Sequence, residues 1–139
     1  MNALVLIGRI LFAVLFLSSA VNHLTKTEAM VGYTASRGVP AAKAATVLSG
    51  VVLLAGGLSV LLGIWADLGA VLLAIFLAAA AVSMHAFWRE SEGQARQMEM
   101  IHFMKDMALC GASLMLIAFF AHTGHSLGLT VTGPLFHLD

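Results

Sequence analysis

His102, Lys105 and Asp106 stand at i, i+3 and i+4 within an otherwise apolar run, so on a helix all three share a face. An imidazole, an ammonium and a carboxylate on one face can hold the polar atoms of a ligand or move protons to and from it. His23 and His85 close two other apolar runs, and the flat rings of Trp88 and Phe103 lie beside this set in the chain. Each residue also has a plainer role. Lys105 and Arg89 can snorkel to an interface, Trp88 can be a belt aromatic, and the whole set can be a structural polar plug. An ionisable group inside a membrane span costs about 2.5–3.5 kcal/mol at its centre, so several at one depth argue for a shared interior site.

The elements that must position these residues are four apolar runs, 3–23, 41–63, 68–88 and 100–121, each long enough to cross a hydrocarbon core about 30 Å thick. Hydrophobic residues make up 60% of the chain and charged residues 10%, with a mean hydropathy of +0.97. Lipid is therefore the solvent for most of this sequence. Backbone amides in lipid must be bonded within their own segment, and the period-2 alternation of a membrane barrel is missing. The expected fold is an all-α membrane protein, a four-transmembrane-helix antiparallel bundle in a single domain over 1–139. Residues 27–37, started by Thr27 and stopped by Gly38 and Pro40, predict a short interfacial helix, either a lid over a pocket or, the preferred reading, a connector. The tail, 123–139, shows no clear periodicity.

With four spans, His23, His85, His102, Lys105 and Asp106 fall near one membrane face. Lys26, Arg37, Lys43, Arg89, Arg96 and Lys105 cluster toward that face, which makes it cytoplasmic and puts both termini on the other side. Arg9, the only early charge, lies inside the first apolar run, so that run reads as a retained helix and not a signal peptide. Arg9 lies toward the opposite face, where Asp67 opens the third span, and an Arg9–Asp67 ion pair is the simplest way to satisfy both. The lone Cys110 excludes an internal disulfide and reads as a small packing residue. A formal net charge of zero gives no basis for nucleic-acid binding. His85 and His102, with His23 as a third ligand, are near enough in depth to consider a metal. The absence of HxxxH and HExxH spacing, and of histidines facing each other mid-bilayer, argues against both metal and haem.

The chain resembles the DoxX family of small bacterial inner-membrane proteins. The resemblance rests on Gly8-Arg9-Ile10-Leu11 in the first helix, Arg37-Gly38-Val39-Pro40 ending the first loop, and a glycine-rich second helix. It continues with His85-Ala86-Phe87-Trp88 closing the third helix and Met100-Ile101-His102-Phe103-Met104-Lys105-Asp106 opening the fourth. Two positions depart from the family's pattern: Ser49-Gly50 stand where many relatives carry a glutamate, and His23 stands where lysine is commoner. The resemblance implies a place in the bacterial inner membrane and service to a membrane redox process, because the family's namesake resembles a subunit of a thiosulfate:quinone oxidoreductase.

On that reading the expected ligand is a quinone or similar lipophilic molecule near the cytoplasmic leaflet. His85, His102 and Lys105 would donate to its carbonyl oxygens, Trp88 and Phe103 would flank the ring, and Asp106 would orient His102 and pass protons. No residue in the chain moves electrons, so catalysis by the chain alone is not expected. It would act as a non-autonomous subunit, with a protein partner or a second copy of itself. The competing expectation is a non-catalytic accessory subunit or membrane chaperone. A transporter is disfavoured because no broken span or inverted repeat is evident.

Overall fold

The computed structural model describes residues 1–137; the last two positions of the tail lie outside the described residues. Its helices are α1 (Asn2–Thr25), α2 (Thr27–Ser36), α3 (Ala42–Leu62), α4 (Ala66–Met84) and α5 (Gln94–Thr123). Four of them, α1, α3, α4 and α5, are long and apolar enough to cross a membrane, which bears out the all-α membrane fold. Short 3₁₀ turns follow α4 at Phe87–Arg89 and α5 at Gly124–Ser126.

The bundle is packed in series: α1 lies on α3, α3 on α4, and α4 on α5, while α1 and α5 share no comparable contact. Its core is Phe16 and Ala20 of α1, Leu53 and Val60 of α3, and Ala70, Leu73 and Leu77 of α4. Close approach of α3 and α4 depends on small residues. A Cβ at Gly56 would meet the Leu73 side chain at 2.8 Å, and one at Gly69 would collide with Ser59. Outward-facing residues such as Leu11, Leu48, Ile75 and Met115 are exposed, as lipid-facing positions should be.

Two element ends differ from the sequence-based spans. The third span was expected to run to Trp88, but α4 stops at Met84 and the chain turns through His85 and the buried Ala86. Hydropathy could not show this stop, because no glycine or proline marks it. The fourth span was expected from Met100, but α5 starts at Gln94. At about 1.5 Å per residue its 30 residues extend to roughly 45 Å, so its polar first turns project past a hydrocarbon core of about 30 Å.

The expected Arg9–Asp67 pair does not form. Arg9, 2% exposed, donates instead from Nε to Val60 O (2.8 Å), from Nη2 to Leu61 O (2.6 Å) and from Nη1 to Leu129 O (2.7 Å). The final carbonyls of α3 have no helical partner, and the negative end of the helix dipole lies there, so a guanidinium serves them better than a carboxylate would. Asp67, fully buried in the first turn of α4, accepts from Leu135 N (3.0 Å) and Phe136 N (2.5 Å) of the tail. It thus meets the positive end of its own helix and the tail's free amides. Val131 N and Thr132 N add bonds to Leu62 O (3.2 Å) and Gly63 O (3.0 Å). Gly63 is needed at this turn: its φ is +68°, and a Cβ there would lie 2.7 Å from Thr130 and 2.8 Å from Arg9 Nη2.

Candidate functional site

At the opposite end of the bundle is a cavity of about 470 Å³ that draws its walls from all five helices. Its apolar wall includes Phe76, Ala79, Ala80 and Met84 of α4 and Ala45 of α3. Its polar residues include His23 and Ser19 of α1, Thr46 and Ser49 of α3, His85 after α4, and His102, Lys105 and Asp106 of α5. Five of the seven sequence-derived candidates, His23, His85, His102, Lys105 and Asp106, therefore meet around one space. Arg9, Phe16 and His23, seven residues apart, lie on the inner face of α1, with Arg9 and Phe16 buried and His23 half-buried.

Trp88 and Phe103 do not line this cavity. With Phe87 they form an edge-to-face aromatic cluster, with ring centroids 5.2–5.6 Å apart. The early end of α4 moves Trp88 into the 3₁₀ turn, where it is half-exposed, and Phe103 sits one position round α5 from the cavity-facing His102. The aromatic surfaces inside the cavity are Phe76 and Tyr33 instead.

His23 Nδ1 lies 2.8 Å from Ser49 Oγ and 3.3 Å from Thr46 O, and the Ser49 hydroxyl donates to Thr46 O at 2.8 Å. With that hydroxyl proton committed, His23 donates from Nδ1–H and its Nε2 is left as an acceptor. Across the cavity, His85 donates from Nδ1 to Glu99 Oε2 at 2.8 Å, and its Nε2 is 3.7 Å from Asp106 Oδ2. Asp106 is 5% exposed and has Lys105 Nζ at 3.4 Å from its other oxygen. The His102 ring stacks on His85, centroids 5.0 Å apart and tilted 30°. Asp106 was expected to orient His102, but the imidazole its carboxylate faces is that of His85.

The residues sequence reasoning missed are Glu99, Glu90 and Arg37. Arg37, at the end of α2, contacts Glu90 at 2.5 Å and also pairs with Glu99 through its other terminal nitrogen. The Tyr33 ring lies 5.4 Å beneath its guanidinium. Contact with Tyr33, aided by Glu90 and Glu99 and opposed by burial, raises the Arg37 pKa above its ordinary value, so the group stays charged. Extending the face of His102 and Asp106 back one turn of α5 would have found Glu99. Arg37 stood out only as part of the Arg37-Gly38-Val39-Pro40 motif, and nothing local pointed to its partners, which lie 53 and 62 positions later in the chain.

These ties draw α2 over the cavity. Met30, Tyr33 and Thr34 line it, and Thr34 Oγ1 lies 3.1 Å from Thr46 Oγ1 of α3. The segment thus joins α1 to α3 and also covers one side of the cavity, combining the connector and lid roles that its sequence offered.

Four membrane-capable helices around a polar cavity define a multi-pass membrane protein in contact with the lipid bilayer. A family model described as DoxX matches residues 4–86, more than half of the chain, and the protein belongs to the DoxX family. The matched stretch holds α1 to α4 and His85, whereas Glu99, His102, Lys105 and Asp106 lie beyond it. No curated protein and no solved structure matches the chain significantly.

Proposed function

We propose that the cavity binds a quinone, or a lipophilic molecule of similar ring chemistry, and that the protein serves a membrane redox process as a non-autonomous subunit in the bacterial inner membrane. The observation that carries this reading is the cavity's two-sided polarity. His23 presents an acceptor on the α1–α3 wall, while Lys105 and His102 present donors on the α5 wall, with apolar surface and Phe76 between them. A quinone ring has one oxygen at each edge. Its carbonyl accepts from Lys105 or His102, and the hydroxyl of its reduced form donates to His23 Nε2. The volume of about 470 Å³ falls within the range of small-molecule sites. Electrons must come from a partner protein or an added cofactor, because the chain supplies no redox group.

The test is organic extraction of protein purified in mild detergent, followed by titration of the emptied protein with a short-chain ubiquinone. Near-stoichiometric co-purified quinone is expected, with binding weakened about tenfold or more in His102→Ala and His23→Ala, as for the loss of one hydrogen bond to the ligand. No extracted quinone, together with no saturable binding by the wild-type protein, would end this reading.

A further inference from the structure

Among the described residues, Glu99 is the one carboxylate paired both with a cavity-lining side chain, His85, and with the cover. One oxygen accepts from His85 Nδ1 at 2.8 Å, and the other pairs with Arg37 at the end of α2. Its side chain is 14% exposed and that of Arg37 17%, so both charges are largely withdrawn from water. Glu90, at 27%, completes the grip on Arg37 from the rim. The Arg37 Nε atom is buried with no hydrogen-bond partner among the described residues. The guanidinium is thus held by its two terminal nitrogens alone, an arrangement that can release as a unit. The charged and titratable groups around His85 are Glu99, Asp106, His102 and, beyond Asp106, Lys105. Among the described residues, only Glu99 makes a short hydrogen bond to the His85 ring.

We propose that Glu99 is a positioning residue that fixes the orientation and Nδ1–H state of His85 while latching α2 over the cavity through Arg37. The cover and the cavity are then one coupled device. While the latch is closed, both Glu99 oxygens are engaged, His85 is held with Nε2 toward Asp106, and Met30, Tyr33 and Thr34 cover one side of the cavity. Lifting α2 frees one Glu99 oxygen, loosens His85 and opens a way in for the ligand. The energetic logic is local: α2 is ten residues long and buries only Thr34, so its docking depends heavily on this charged contact. The coupling rests on the cavity being a binding site, but it is read out without any ligand.

The experiment uses the full-length protein in detergent with Cys110→Ala and Met30→Cys, so that the only thiol lies on the cover. Maleimide labelling of Met30→Cys is expected to speed up about tenfold in Glu99→Ala and Arg37→Gln, the change for losing about one charge-assisted hydrogen bond from a local opening equilibrium. Glu92→Ala, on an exposed carboxylate, should leave the rate unchanged. In ¹⁵N-histidine spectra, the His85 signals, assigned by His85→Asn, should shift in Glu99→Ala. They should be largely restored in Glu99→Gln, whose amide oxygen still accepts from Nδ1–H. Unchanged labelling in both latch variants, or His85 signals indifferent to Glu99→Ala, overturns the proposal. Should Glu99→Ala fail to fold, as judged by circular dichroism, Arg37→Gln labelling and Glu99→Gln spectra decide it: unaltered labelling or collapsed His85 signals count against it. A short-chain ubiquinone added to the Met30→Cys protein separates the two ideas. Faster labelling in the latch variants without protection by the quinone keeps the coupling and removes the quinone.

Discussion

Arg9 illustrates how a single side chain can be placed correctly by hydropathy and assigned the wrong partner. A charge within an apolar run must be satisfied, and the nearest opposite charge by depth was Asp67. In the structure both side chains are taken up by backbone, Arg9 by three carbonyls and Asp67 by two amides. Backbone groups left over at helix ends are invisible in a residue-by-residue reading, because every residue carries them. The consequence is testable. Replacing Arg9 with Ala leaves the carbonyls of Val60, Leu61 and Leu129 without partners. Each lost bond to a charged group is worth about 1.5–3 kcal/mol, so the melting temperature in detergent should fall sharply. Arg9→Lys should recover only part of the loss, since an ammonium on a flexible stem cannot reproduce a planar fork. Equal melting temperatures for Arg9→Ala and wild type would refute this account.

Among the elements, the four spans were legible because about twenty apolar residues in a row admit one structure in lipid. Their ends were less so. α4 stops four residues short of its expected end, where His85 turns to reach Glu99, and α5 begins six residues early, in a polar stretch that looks like loop by hydropathy. Those two shifts are linked, since the extra turns of α5 carry Glu99 into reach of His85. His23, His85, His102, Lys105 and Asp106 could be picked out because polar side chains near span ends are few. Glu99, one turn back on the same face, lay within reach of the same reasoning, whereas Arg37 and Glu90 sit in segments where charge is ordinary. Hydrogen exchange should reflect this division. Amides of 94–98, outside the core and exposed, should exchange well before those of 106–121. Uniform protection along α5 would mean that its first turns are covered by something else.

Taken as a whole, the molecule has two differently built ends. One is a knot of Arg9, Asp67, Gly63 and the tail; the other is a cavity beneath α2, surrounded by most of the chain's Lys and Arg. That distribution predicts the cavity end in the cytoplasm and both termini outside. Alkaline phosphatase fused after residue 139 should therefore be active, and a membrane-impermeant thiol reagent should label Ser91→Cys only after the cells are opened. The reverse pattern would invert the proposed orientation and move the cavity to the other leaflet.

The tail closure also has a bearing on how the protein is made. Arg9 finds its third acceptor 120 positions later, at Leu129, and α4's opening carboxylate accepts hydrogen bonds from the amides of residues 135 and 136. All four spans precede residues 129–136 in the chain, so neither side chain is fully partnered until that later segment has been made. Closure of this end of the bundle is therefore a late event in folding, and until residues 129–136 dock both side chains keep hydrogen-bonding atoms without their final partners.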